Sequence, residues 1–490
     1  MTKKIILIGL GGVGSTFLEM LIITRIGINV LEKYQKILIF DREDKKDDYT
    51  FLKIKNYIPT FFQKIEIDKN NIDVLIKSIY KKDIVIDLSY NICFKPIIKH
   101  CLDIGANYIN TSLERWPIQH EENLNVNFDN KLLYKLHNEA KEIGKKEKNI
   151  KSTIMLTHGM NPGLITHFAR NALIDISKNI LKIAKEKNVN NNNLENLKTF
   201  LFEKNFPQIA KLLELKTIHC SEEDTQKSNI KRENNEFVNT WSPYGFYSES
   251  VDPIQIGWGI HEKIQNKKII KNGNFCIKER GCDYTTISYI PNLKIEGMLI
   301  SHSENDTLSK SLEIYEEGKL IYKPSVYFVY SPCKDAKDSI SSVKLNNYKY
   351  LEKERLLKLK DLESGSDSIG ALLIFNCDPV ENIIYENKNT KHRSYWCGSI
   401  LSVENCKNLG FVNSGPTTIQ VGISILAVIK HIHENIPKGV IFPEDLPETI
   451  IDDCKLYLGT FFSDFIESES IKSDFSMERV KTKDQICNLS

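Results

Sequence analysis

No stretch of the 490-residue sequence is long and apolar enough to read as a membrane span. The opening run, "MTKKIILIGLGG", is short and breaks at glycines, so it reads as a strand and not as a signal segment. A later run, "TIQVGISILAVIKHI", also falls short of a span and reads as a buried helix. Net charge is equally scarce: 66 Lys and Arg against 64 Asp and Glu leave +2, with no global pull toward nucleic acid or an anionic membrane. The 11 cysteines include no CxxC pair, and no His/Cys cluster stands at zinc-site spacing. Free thiols in a reducing, cytoplasmic compartment and no structural metal are expected. One local absence is more informative. The stretch "NTWSPYGFYSES", residues 239 to 250, has no basic residue but crowds Trp241, Tyr244, Phe246 and Tyr247 against Glu249, with Asp252 just beyond. Aromatics with carboxylates describe a lining suited to a cation.

The length predicts two or three domains with a large core. The first is read from "KKIILIGLGGVGSTFLEMLI", where a continuous β-type run, Lys4 to Ile8, turns through Gly9, Gly11 and Gly14 into a helical pattern. In that context Gly9 makes the tight turn, Gly11 admits a pyrophosphate, Gly14 allows close packing, and the helix N-terminus offers N–H groups to phosphate. Gly12 and Val13 belong to the same loop. The next strand, "KILIF", ends at Asp41, whose carboxylate can accept both ribose hydroxyls and would repel a 2′-phosphate. NAD is therefore favoured over NADP, although Arg42 keeps NADP open. Further βα alternation with continuous apolar strands predicts a parallel sheet covered on both faces. Ligands of such sheets sit beyond the carboxyl ends of the strands. That selects Ser89, Tyr90 and Asn91, Thr111 to Glu114, and His158 to Gly163 to meet the nicotinamide.

From "MNPG" onward the pattern changes. Asn161 either caps the following helix or reaches into the site, and Pro162 suits a first helical turn. Strand-like pieces such as "LKTIHCS", "EFVNTW" and "GMLISHS" predict a second α+β domain with a largely antiparallel sheet. The fold class expected is thus α/β, a Rossmann-type parallel sheet domain plus that second domain. Residues 1–160 with roughly 415–465 would bind NAD, 161–414 would bind substrate and dimerise, and 466–490 would be a loosely packed tail. Glu222 and Glu223 after an apolar strand, Glu114 beside Trp116, and Glu249 with Asp252 all read as acids at strand ends near aromatics. His302 is a strand-end histidine able to move a proton, or a satisfied structural one.

The motifs "MNPG", "IHCSEEDTQ", "VNTWSPYGFYSE" followed by "IGWG", "ISHSE", "YSPCKDA" and "YWCGSILS" together resemble bacterial homospermidine synthases, relatives of the saccharopine dehydrogenase group. The resemblance runs over nearly the whole chain; residues 129–148 and 187–198 match poorly. It implies an NAD-dependent homodimer that joins two putrescines into homospermidine and releases ammonia, with spermidine an alternative donor. Carried over by motif, Trp241 is the aromatic platform, Glu114, Glu222 and Glu249 the acidic contacts, and Asn161 and His302 polar neighbours of the nicotinamide. The cofactor side is Gly9, Gly11, Gly12, Val13, Gly14, Asp41, Ser89, Asn91, Thr111, Asn161 and Pro162. One departure stands out: Tyr90-Asn91 follows "DIVIDLS" where an acid is expected. Two alternatives remain. One is a saccharopine- or carboxynorspermidine-type dehydrogenase, for which Arg115 would serve as an anion clamp. The other is a non-enzymatic protein that senses NAD or polyamine.

Overall fold

The computed structural model describes residues 3–118, 123, 128–262, 274–467 and 486–488. The apolar run Lys4–Ile8 is strand β1, buried at every position, and Gly12–Ile23 is helix α1. Strands β2 (Lys36–Asp41), β3 (Thr60–Lys64), β4 (Ile84–Asp87), β5 (Asn107–Asn110) and β6 (Thr153–Met155) follow in βα alternation. They form a seven-stranded sheet in the order Gly439–Ile441, β6, β5, β4, β1, β2, β3, every pairing parallel. This is the doubly wound arrangement, with its switch point between β1 and β4.

The second sheet has ten strands, centred on β7 (Leu215–Asp224). β7 pairs in parallel with Ser325–Ser331 and antiparallel with Ser366–Phe375. The remaining pairings of that sheet are antiparallel. Both sheets are as the sequence reading expects.

Helix Pro416–Glu434 returns to α1, where Thr16 Oγ1 donates to Thr418 Oγ1 at 2.8 Å. A Cβ on Gly422 would lie 2.7 Å from Met20 Sδ, so the two helices meet closely. Buried Glu19 on α1 accepts N–H bonds from Val412, Asn413 and Ser414, which fixes the chain just before that helix. The strand Thr460–Ile466, expected with the first unit, lies in the second sheet, where Phe465 packs on Tyr395 and Phe462 on Trp396. Of the expected tail, Ile486–Asn488 pairs with Asn274–Arg280, while 468–485 and 489–490 lie outside the described residues. Among the described residues no single helix is long and apolar enough to cross a membrane.

Candidate active site

The carboxyl ends of β4, β5 and β6 and the second sheet face each other across one cavity of about 200 Å³. A single water needs only ~10–15 Å³, so the space suits an organic ligand. Its first wall carries Val13, Ser89, Asn91, Thr111, Glu114, Asn161 and Pro162. Its second carries Glu222, Trp241, Glu249, Asp252, His302 and Tyr330. All six residues expected to do chemistry therefore border one space. Gly9, Gly11, Gly12, Gly14 and Asp41 sit just outside that lining, on the β1 loop and at the end of β2.

The glycine turn after β1 is tight on two sides and open on the third. Gly9 has φ +91°, and a Cβ there would lie 2.7 Å from the Leu88 carbonyl oxygen. A Cβ on Gly14 would lie 2.2 Å from the Gly9 carbonyl oxygen, so α1 starts directly against the loop. A Cβ on Gly11 would touch no protein atom within 4 Å. That space is open at the N-terminus of α1. Asp41 Oδ2 accepts from the Leu10 N–H at 2.6 Å, which ties the end of β2 to the loop.

The opening aromatic stretch is a helix, not a flat lining. Ser242 Oγ accepts from the Gly245 N–H and Pro243 takes the first turn of Pro243–Val251. The helical period then divides the residues. Trp241, Gly245, Ser248, Glu249 and Asp252 face the cavity. Phe246 is fully buried, Tyr247 donates to the Tyr348 carbonyl, and Tyr244 packs against Tyr90 and Tyr350. Of the four aromatics only Trp241 lines the cavity, its Nε1–H donating to the Tyr330 hydroxyl at 3.2 Å. A Cβ on Gly245 would come within 3.2 Å of the Trp241 ring, so the glycine lets the indole lie over the helix.

Glu249 likewise sits on that helix and not at a strand end. Glu222 and Glu223 lie inside β7 because both neighbouring strands pair through them. Alternation sends Glu222 to the cavity and Glu223 to the opposite face, toward Lys337. Asn161 is no cap: Gly163 precedes helix Leu164–Glu186, and Asn161 Nδ2 donates to Glu222 Oε2 at 3.0 Å. Pro162, joined to Asn161 by a cis bond, stands before that cap and not in the first turn. His158 is fully buried on Ser424 and His167, out of the cavity, and Gly163 does not line it either.

The charges are arranged in groups. Glu114 accepts from Ser112 Oγ at 2.8 Å and from the Asn91 N–H at 3.2 Å. Burial pushes its carboxyl up to about 7, against the pull of those two donors and of Arg115. Asn91 holds a left-handed backbone, φ 66°, which asparagine tolerates better than most residues and which turns its N–H onto Glu114. Asn91 itself brings no charge to the position where an acid was expected; its N–H is bound to Glu114, in the loop after β5. His302 Nδ1 stands 3.0 Å from Glu304 Oε2, and Nε2 stands 3.6 Å from Glu249 Oε2. Burial disfavours its charged form, yet Glu304 and Glu249 hold the imidazole well above its ordinary value. Burial and the nearby Asp367 and Asp224 push Glu222 well above the carboxylate range. Arg115 pairs with Asp252 at 3.2 Å.

The family model described as the saccharopine dehydrogenase NADP binding domain matches residues 5–155. A curated homospermidine synthase of Blastochloris viridis is 26% identical over 374 residues, 74% of this chain and 71% of that protein. Its counterpart from Mesorhizobium japonicum is 26% identical over 388 residues, 76% and 73% of the two chains. A solved homospermidine synthase of Legionella pneumophila, in complex with NAD, superposes with a TM-score of 0.74 and 27% identity over 95% of this chain and 92% of that one. The chain resembles the homospermidine synthases. The likeness read from the motifs, the two-sheet fold and the expectation of an enzyme of this kind are all borne out. The expected cofactor is the one that the solved relative holds, and the matching family model is a nucleotide-binding domain.

Sequence reasoning missed Glu304, Tyr330 and Asp367. Glu304 follows His302 by two residues in "ISHSE", a local signal within reach. Asp367 carries no such signal, because its place depends on the pairing of two distant strands.

Proposed function

We propose that the chain is a homospermidine synthase that uses NAD catalytically to join two putrescines, or spermidine and putrescine, with release of ammonia. The observation that carries the reading is a cavity, beginning at the glycine-loop side, lined by carboxylates and an indole, whose one lining guanidinium among the described residues is paired to Asp252. A substrate that enters as a dication needs such walls.

Gly9 to Gly14 and Asp41 hold the cofactor, with Ser89, Asn91, Thr111, Asn161 and Pro162 bordering its reactive end. Bound there, NAD supplies an acceptor that takes a hydride from the amine-bearing carbon and later returns it. Before that, the amine must lose a proton. Glu114, whose carboxyl titrates near neutrality, is the acceptor. Glu222 and Asn161 hold the amine on the inner side, and Glu249 clamps the distal ammonium. Trp241 presents its indole face to the iminium that forms when the amine is oxidised and again when the second amine displaces ammonia. His302, kept as an imidazolium by Glu304 and Glu249, gives a proton to the departing ammonia.

The division of labour follows the two sheets: residues 1–160 and the returning helix bind the cofactor, and 161–414 bind the amines. The resemblance supports a homodimer in the cytoplasm. A dehydrogenase acting on a carboxylate-bearing imine needs an anion clamp, and Arg115 held by Asp252 counts against it. The test is incubation with catalytic NAD and excess putrescine, followed by mass spectrometry. Homospermidine with ammonia is expected. NADH accumulating without a coupled polyamine supports the dehydrogenase, and diamine binding without product supports a sensor.

A further inference from the structure

Behind Glu222, away from the cavity, lies a cluster of acids that no step above uses. Asp367 is on strand Ser366–Phe375, which pairs with β7 so that Asp367 faces Asp224 and Ile369 faces Glu222. Asp367 is therefore diagonal to Glu222 on the same face of the sheet, within reach of long side chains. Glu222, Asp224 and Asp367 are all at most 4% exposed. Like charges this close and this dry cannot all ionise.

Their hydrogen bonds assign the charges. Asp224 is well supplied, accepting from Thr240 Oγ1 at 2.6 Å, the Gln226 N–H at 2.8 Å and Gln226 Nε2 at 3.0 Å. Asp367 is poorly supplied: its carboxyl meets Thr417 and Glu222, and Oδ1 is buried without a hydrogen-bond partner. Among the described residues no three His, Cys, Asp or Glu side chains are arranged to hold a metal ion.

We propose that Asp367 is a positioning residue that shares one proton with Glu222, and that an ammonium group arriving at Glu222 displaces that proton to solvent. This rests on the cavity being an amine site. Glu222 and Asp367 then form an acid dyad with one negative charge. The incoming cation replaces the proton, so the dyad with its occupant carries the same single negative charge before and after binding. The surrounding groups agree. Tyr330, Cys220 and Cys406 beside the dyad are buried neutral groups, Lys337 offsets Asp224 from outside, and His302 is a cation facing Glu222. His302 is itself engaged by Glu304 and Glu249.

The test is calorimetry of putrescine binding to the NADH-loaded protein, in which no oxidation can start, in two buffers of different ionisation enthalpy and at a pH well above the Glu114 value of about 7, so that Glu114 is already ionised. The unsubstituted protein is expected to release about one proton per bound diamine, and Asp367→Asn close to none. Infrared difference spectra of the unsubstituted protein are expected to lose a protonated-carboxyl band on putrescine binding, which keeps the test independent of how the variant folds. Binding with no proton release and no change in that band overturns the inference while leaving the functional reading intact. Equal release by Asp367→Asn overturns it too. No putrescine binding at all overturns both.

Discussion

Arg115 Nη2 lies 3.2 Å from Asp252 Oδ2 at the edge of the cavity, and Lys131 approaches the same carboxylate at 3.8 Å. A cationic substrate meets a guanidinium already satisfied by an acid. Asp252→Asn takes that carboxylate away and leaves net positive charge beside the site. The KM for putrescine is expected to rise about tenfold, roughly 1.4 kcal/mol, with kcat much less changed. Steady-state kinetics check this, and an unchanged KM would show that the pair does not tune amine binding.

Trp241 is the aromatic face of the cavity, anchored through Nε1 to Tyr330. A cation–π contact that strengthens as charge develops contributes about 0.5–2 kcal/mol. Trp241→Ala should therefore lower kcat by roughly two- to thirtyfold, while Trp241→Phe retains part of it. NAD affinity, measured by fluorescence titration, should not change in either variant. Unimpaired turnover in the alanine variant would remove the platform role.

Glu114 titrates near neutrality because it is buried, with the donors Ser112 and the Asn91 N–H limiting the rise to about 7. The carboxyl is neutral below that pH and a carboxylate above it. A proton acceptor must be ionised, so kcat/KM is expected to climb through about pH 7. Glu114→Gln should lose that limb and about 10²–10⁴ of the rate. The stability consequence has the opposite sign. The folded chain holds this proton more tightly than the unfolded chain, so stability is lost as pH rises from the usual glutamate range through about 7. Relative to the parent, Glu114→Gln should melt higher at alkaline pH and show no such gain in acid.

Two glycines, Gly11 at the turn and Gly14 in the first turn of α1, separate binding from folding. A Cβ on Gly14 would sit 2.2 Å from the Gly9 carbonyl oxygen, whereas one on Gly11 would meet nothing. Gly14→Ala is expected to lower the melting temperature. Gly11→Ala should melt like the parent yet bind NAD at least tenfold more weakly. Calorimetric melting and NAD titration of the two variants decide it, and full NAD affinity in Gly11→Ala would move the pyrophosphate elsewhere.

What could be read from sequence was what is encoded locally. The strand Lys4–Ile8, the glycine turn and α1 announce themselves through a change of period punctuated by glycine. Glycine marks a helix end as well: Gly105 ends Phe94–Ile104 in a left-handed conformation. The aromatic stretch was legible in composition but not in direction. Ser242-Pro243 is a helix-start signal, and applying the helical period there separates Trp241 and Glu249 from Phe246 and Tyr247. Glu222 escaped its strand assignment because apolar patterning fades where a strand borders a polar cavity. Asp367 was beyond reach, since only the register of Ser366–Phe375 on β7 brings it to Glu222.

The central claim is that hydride is borrowed from one amine carbon and returned to it. Putrescine fully deuterated on its carbons, incubated with the protein and catalytic unlabelled NAD, tests this by mass spectrometry. Homospermidine retaining all of its carbon-bound deuterium is the predicted result. Product that has exchanged one deuterium for hydrogen, or deuterated NADH accumulating with no homospermidine, would contradict the account.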